Sequence, residues 1–405
     1  MWEKSISINE VKEIRSRTTA YLGVGAIDKV KDICADLKSK GISKVLVVTG
    51  RGSYKATGAW DKVTEAFSAN GIDYVLYDKV TPNPTVDAID EAVKLGRDLG
   101  ASAVFGIGGG SPIDTAKSAA ILLSYLEQDA RALYEYRFTP VKAVPVIAIN
   151  LTHGTGTEVD RFAVATIEEK NFKPAIAYDC IYPLYAIDDP ALMTGLKADQ
   201  TRYVSIDAVN HVVEAATTKI FSSPYTVLLA EETVRLVDTY LPRAVADPND
   251  LEARYCLLYA SMIAGIAFDN GMLHLTHGLE HPLSGMKPEL THGLGLAMIL
   301  PSVVEACWPA ASEVLIDVLK PMLPEDLTAC PCNASKAADA VEKWLFKMGV
   351  TQKLADVGFT EADVEKLVRL TRETPSLGGL LDIAPVTASN EVVAKIYRDS
   401  LKPRS

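Results

Sequence analysis

Apolar and polar positions divide the chain into two textures. Up to about residue 190, short β-branched runs alternate with stretches of helical period. Lys44–Thr49, Asp73–Tyr77, Ala103–Ile107 and Val144–Ile149 read as strands. Val63–Ala69, Val86–Leu99 and Ile113–Leu123 read as the helices between them, and Thr81-Pro82-Asn83-Pro84-Thr85 as a turn. Such interleaving predicts βαβ units and a mainly parallel sheet. From Leu192 onward, Gln200–Thr218, Ser223–Tyr240, Leu251–Asp269, Leu296–Ala306 and Ser335–Met348 follow helical spacing, and strand alternation almost disappears. The expected fold is an α/β domain with a mainly parallel sheet over residues 1–190 and an all-α domain over 191–405. They meet near Asp188-Asp189-Pro190. The cleft between two such domains is the default ligand site.

Two loops at predicted strand ends carry candidate chemistry. Ala103–Ile107 runs into Gly108-Gly109-Gly110, and Ser111-Pro112 then opens a helix, with Asp114 three residues past the serine. Serine is a preferred helix cap and proline fits the first helical position. Glycines without Cβ let a diphosphate approach free N–H groups at a helix start. A plain strand-to-helix turn accounts for the same residues, and the loop is not the G-x-G-x-x-G fingerprint. The second loop, Asn150 to Glu158, offers three threonine hydroxyls for phosphate or ribose, or else a structural turn.

Histidine usage is the most specific feature. Four of the six histidines, His274, His277, His281 and His292, lie close together. Asp207 and His211 are spaced i, i+4 in an apolar helical pattern, on one face and one turn apart. An Asp–His hydrogen bond between helices would account for that pair alone. Taken with His277, His281 and His292, the set offers one carboxylate and four imidazoles, and the carboxylate with three of the imidazoles makes an N₃O donor set that suits Zn²⁺ or Fe²⁺.

Composition adds exclusions. The net charge of −11 over 405 residues is spread without a basic block, so no nucleic-acid partner is expected. The longest apolar runs, such as Val144–Leu151, are far shorter than the roughly 20 residues of a spanning helix. The N-terminus lacks signal-peptide features. No membrane association is expected, and the expected location is cytoplasmic. Six cysteines are too sparse for a disulfide scaffold, and Cys330-Pro331-Cys332 lacks C-x-x-C spacing, so reduced thiols are expected.

The ordered motifs Gly108-Gly109-Gly110-Ser111-Pro112 with Asp114, Gly154-Thr155 with Glu158, Asp207-x-x-x-His211, His277 through Leu283 and His292-Gly293 resemble the iron-containing (group III) alcohol dehydrogenases, on the dehydroquinate synthase-like fold. The resemblance covers nearly the whole chain. It implies that Asp207, His211, His277 and His292 bind Fe²⁺, with Zn²⁺ the alternative, and that His281 relays a proton near the nicotinamide and substrate. It also implies Gly109, Gly110 and Ser111 at the diphosphate, with Asn83, Asp114, Thr152, Thr155, Val164 and Lys173 along the cofactor. His274 is expected to be structural, and His153 has no assigned role.

NAD-preferring relatives end the second strand with an aspartate that holds the ribose hydroxyls. Here Gly50 takes that place, followed by Arg51, Ser53 and Lys55. A 2′-phosphate meets no repelling carboxylate, Ser53 can donate to it, and Arg51 or Lys55 can supply charge. The expected cofactor is NADP(H) rather than NAD(H), and the expected reaction interconverts primary alcohols and aldehydes by hydride transfer in a homo-oligomer. Strand-like Ser5–Asn9 is a candidate for pairing across its interface. Alternatives are a glycerol dehydrogenase, a dehydroquinate synthase-type enzyme, for which Lys219 and Lys287 are the only cations near the metal motifs, and a non-catalytic metal- and nucleotide-binding protein.

Overall fold

A computed structural model describes residues 9–404 of the chain. Among the described residues eight strands form: β1 Thr19–Leu22, β2 Lys44–Gly50, β3 Asp73–Val80, β4 Ala103–Gly108, β5 Val146–Asn150, β6 Phe162–Val164, β7 Ala175–Ala177 and β8 Tyr185–Asp188. Six of them make a parallel sheet in the order β1-β8-β5-β4-β2-β3, while β6 and β7 pair antiparallel. The central strands are nearly continuous apolar runs because helices cover both faces. Leu46, Val48 and Val104 face Ile89, Val93 and Ala116 on one side. Val45, Val47 and Phe105 face Ile33, Val63 and Phe67 on the other.

The expected strands form and mostly extend by one to three residues. The fourth begins at Val146 rather than Val144, since Pro145 has no N–H to donate. β1 and β8, four residues each, are too short to stand out in the sequence. Ser5–Asn9 lies outside the described residues except for Asn9, so its proposed pairing has no structural description.

After β8 the chain is helical, with long helices at Ala198–Ala215, Pro224–Ala246, Leu251–Gly271, His292–Val318 and Ala334–Lys347. The helix read as Leu296–Ala306 starts at His292 and runs on through a kink at Ala311. Leu275–Met286, which carries His277 and His281, was not among the expected helices; Pro282 lies within it. Two helices, Leu251–Gly271 and His292–Val318, are long and apolar enough to cross a membrane, contrary to the run-length expectation. Shares of 61% and 78% of their apolar windows are buried, and they build the helical core. The thiol expectation is also corrected: Cys330 and Cys332 share a disulfide, their Cα atoms 5.2 Å apart, within the ordinary range. Cys34, Cys180, Cys256 and Cys307 are free.

Candidate metal centre and dinucleotide cleft

Three helices deliver the histidine cluster. Asp207 and His211 lie one turn apart on Ala198–Ala215, His277 and His281 on Leu275–Met286, and His292 opens His292–Val318. Glycines allow this approach. A Cβ on Gly293 would meet the Tyr203 carbonyl at 2.1 Å, and one on Gly271 the Ala215 carbonyl at 2.4 Å.

The Nε2 atoms of His211, His277 and His292 lie 3.5, 3.7 and 3.9 Å from Asp207 Oδ1. These separations are too long for good hydrogen bonds but suit ligands sharing one ion. Asp207 Oδ1 and His277 Nε2 are buried without a hydrogen-bond partner. Buried polar groups are normally paired, so these orphaned atoms and the N₃O donor set fit a divalent cation. Glu280, His281 and His292 form a second cluster beside the first.

Two carboxylates that the sequence reading missed orient these rings. Glu214 Oε1 accepts the N–H groups of His274, Thr276 and His277 at 2.9, 2.7 and 3.2 Å, and its Oε2 meets His277 Nδ1. Glu280 Oε2 meets His292 Nδ1, Lys173 Nζ lies 3.4 Å from the same oxygen, and Ser284 donates to Oε1. Carboxylates on the far ring nitrogen are the usual outer support of a metal-bound histidine. The available signal was position, since Glu214 follows His211 by three residues on its helix and Glu280 precedes His281.

Burial alone would raise the Asp207 carboxyl, yet His211, His277 and His292 hold it well below the usual range. Burial would lower the His277 ring, but Glu214 and Asp207 lift it to about 9. Burial pushes His281 well below the ordinary histidine value, and the cation of Lys173 adds to this.

The cluster lines the inner part of a cleft of about 890 Å³ that reaches the carboxyl ends of the sheet. Open parallel sheets bind ligands there, where strand order reverses, as it does between β2 and β4. Ser53, Asn83, Gly109, Gly110, Ser111, Asp114, Thr152, Thr155, Val164 and Lys173 line it with the four predicted ligands and His281. Gly50 and Lys55 do not; the Lys55 ammonium stands over the Tyr54 ring, 5.2 Å from its centre.

Several placements correct the sequence reading. The helix begins at Gly110 with Gly109 as its cap and no side-chain cap bond, so Ser111 and Pro112 lie inside the first turn. Uncapped N–H groups there face the cleft and suit an anion. The glycines are also required by the second loop: a Cβ on Gly109 would meet Thr152 Oγ1 at 2.9 Å, and one on Gly110 would meet Thr155 Cγ2 at 2.7 Å. Both Asp114 oxygens are engaged, one by Thr157 Oγ1 at 2.7 Å and one by the Val164 N–H at 3.0 Å. Thr157, one of the three hydroxyls offered either to a ligand or to a structural turn, also accepts from Lys117. Asn83 has φ 54° and donates to the Pro288 and Leu290 carbonyls, tying its turn to the approach to His292.

His274 and His153 are both held in buried hydrogen bonds. His274 caps its helix through Nδ1, and its Nε2 meets Thr217 at 2.9 Å. His153 bridges Ser205 and the buried guanidinium of Arg254. Lys287 donates to the Val357 carbonyl and is absent from the cleft wall, as is Lys219; Lys173 is the one cation lining it among the described residues.

Comparison with known proteins agrees with this geometry. Residues 17–190 match the model of the iron-containing alcohol dehydrogenases, and residues 201–401 the C-terminal model of the Fe-containing alcohol dehydrogenase family. A long-chain primary alcohol dehydrogenase of Thermoanaerobacter ethanolicus is 63% identical over 400 residues, covering 99% of this chain and 100% of that protein. An alcohol dehydrogenase from an archaeal halo-thermophilic Red Sea brine pool superposes with TM-score 0.89 at 26% identity, covering 97% of this chain and 100% of that one. The NADH-dependent butanol dehydrogenase A of Thermotoga maritima gives TM-score 0.86 at 29% identity, over 97% and 99% of the two chains. The chain belongs to the iron-containing alcohol dehydrogenase family and is an NAD(P)-dependent oxidoreductase of the alcohol dehydrogenase type.

Proposed function

We propose that this chain interconverts long-chain primary alcohols and their aldehydes, with NADP(H) as preferred dinucleotide and Fe²⁺ as the metal. The observation that carries the reading is the meeting of Asp207, His211, His277 and His292 in the cleft that also receives the uncapped glycine loop. A bound divalent cation supplies Lewis acidity that lowers an alcohol's pKa, and a bound dinucleotide accepts or returns the hydride.

The chain's residues supply the rest. Asp207 and the three imidazoles hold the cation, while Glu214 and Glu280 fix the His277 and His292 rings. First-turn N–H groups of Gly110 and Ser111 receive the diphosphate, with Thr152 and Thr155 beside them. Asp114 acts on the cofactor wall through Val164. His281 lines the cleft with Nδ1 unpartnered, which suits passing a proton outward. Phe162, Phe221, Phe268, Leu273, Leu380 and Ile383 give the cleft an apolar wall that suits an alkyl tail. The name of the 63% identical relative favours the same substrate class. The lack of a basic cluster disfavours a phosphorylated sugar acid.

NADP(H) preference rests on Gly50, which leaves no carboxylate at the end of β2, and on Ser53 in the cleft wall; Arg51 and Lys55 lie outside that wall. We also propose domains of residues 1–190 and 191–405 and a cytoplasmic homo-oligomer. Measuring kcat/KM with NADP⁺ and NAD⁺ over primary alcohols of increasing length, beside elemental analysis, tests the reading. A preference for NAD⁺ overturns the cofactor assignment, and a preference for the shortest alcohols overturns the substrate class.

A further inference from the structure

Cys330 and Cys332 lie in a loop the dehydrogenase chemistry does not use. It joins the helices His292–Val318 and Ala334–Lys347, and its two sulfurs are bonded to each other. Trp308 Nε1 donates to the Cys330 carbonyl at 2.9 Å, Ser312 to the Ala329 carbonyl at 3.1 Å, and Asn333 to the Thr328 carbonyl at 3.1 Å. These anchors use backbone carbonyls, so the loop keeps them when the sulfur–sulfur bond opens. A cross-link spanning one intervening residue constrains the unfolded chain far less than a long-range one, which argues against a purely stabilising role.

The surroundings suit exchange. Cys332 is exposed and Cys330 half-buried. The Cys330 sulfur accepts the Cys332 N–H at 3.3 Å, a contact that favours thiolate over thiol. Lys336 and Lys343 line the same groove of about 580 Å³ together with Asp326 and Asp339, and none of its residues lines the dinucleotide cleft. Cys34 and Cys307 are buried by contrast, and burial pushes both thiols up.

We propose that Cys330 and Cys332 form a thiol–disulfide exchange site for low-molecular-weight thiols, separate from the catalytic cleft. An external thiolate attacks the exposed Cys332 sulfur, forming a mixed disulfide as the Cys330–Cys332 bond breaks and Cys330 leaves as thiolate. A second external thiolate attacks the small-molecule sulfur of that mixed disulfide and releases Cys332. Two external thiols become one disulfide, and the protein disulfide gains two electrons and their two protons.

The test uses the folded protein purified without reductant, incubated with a series of reduced glutathione concentrations and then trapped with iodoacetamide. Peptide masses are expected to show no alkylation of Cys330 and Cys332 before treatment and both alkylated after it, with circular dichroism unchanged. Alkylation of both in untreated protein, or resistance to glutathione until the protein is denatured, overturns the proposal. Peptide fragmentation after trapping at low glutathione identifies the attacked sulfur. Glutathione is expected on Cys332, and glutathione on Cys330 instead overturns the assignment.

Discussion

Glu214 holds His277 from two directions. One carboxylate oxygen gathers the N–H groups that open the His277 helix, and the other meets the Nδ1 of the ring itself. The N–H at Nδ1 then points at the carboxylate, and the Nε2 lone pair is left facing Asp207. Glu214→Gln places an amide donor against that ring nitrogen and favours the wrong tautomer. Metal affinity is expected to fall about 10- to 100-fold, read by competition with a chelator. Wild-type affinity in this variant would show that the pairing does not set the ring.

His277→Ala is expected to abolish both bound metal and turnover. The two readouts are elemental analysis and dinucleotide reduction followed by absorbance. Full activity in this variant refutes the ligand role.

His281→Ala separates proton movement from metal binding. Metal content is expected to hold while kcat drops by roughly 10²-fold, as for loss of a positioned proton carrier, with a changed pH profile. If kcat and its pH profile stay the same, the relay assignment fails.

Gly156 has φ 65°, and a Cβ there would meet Gly265 Cα at 2.4 Å. Neither partner can yield by rotating a side chain. Gly156→Ala is expected to cost roughly 2–4 kcal/mol, read from urea unfolding. Gly195→Ala, with nothing within 4 Å of its Cβ, is the control and is expected to change stability little.

His153 gives stability a dependence on acid. Burial, with Arg254 beside it, pushes its pKa down to about 3 from 6.5. Its stabilising contribution is complete above the unfolded value and is lost as pH falls toward the folded one. At pH 5 the loss is about 2 kcal/mol. His153→Gln is expected to flatten urea midpoints between pH 7 and 5 relative to wild type. An unchanged slope would mean that His153 does not carry this dependence.

The site was readable wherever chemistry coincided with period. Asp207 and His211 sit one helical turn apart in an apolar helical pattern, so their spacing announced a shared face, whereas His277 and His281 share that spacing on a helix, Leu275–Met286, that the pattern did not mark. Glu214 and Glu280 escaped notice because their role depends on which ring nitrogen they meet, a relation across helices or between a helix interior and another helix's start. Ser111 looked like a helix cap from residue preference alone, yet the extended Gly109 supplies the start. Asp114 was expected along the cofactor and does line the cleft, but its partners Thr157 and Val164 could not be read from spacing. The strands of the sheet centre were plain because both faces are buried, whereas β1 and β8 were too short to show a pattern. Nothing in C-x-C spacing indicated that Cys330 and Cys332 would be bonded.

The Gly156–Gly265 abutment has a mechanical consequence. Main chain rests against main chain there, joining the threonine loop at the edge of the nucleotide wall to the long helix Leu251–Gly271. With no side chain to slide or compress, the junction fixes the spacing between that loop and the helix, so the wall beside the threonines keeps one distance from the helical domain.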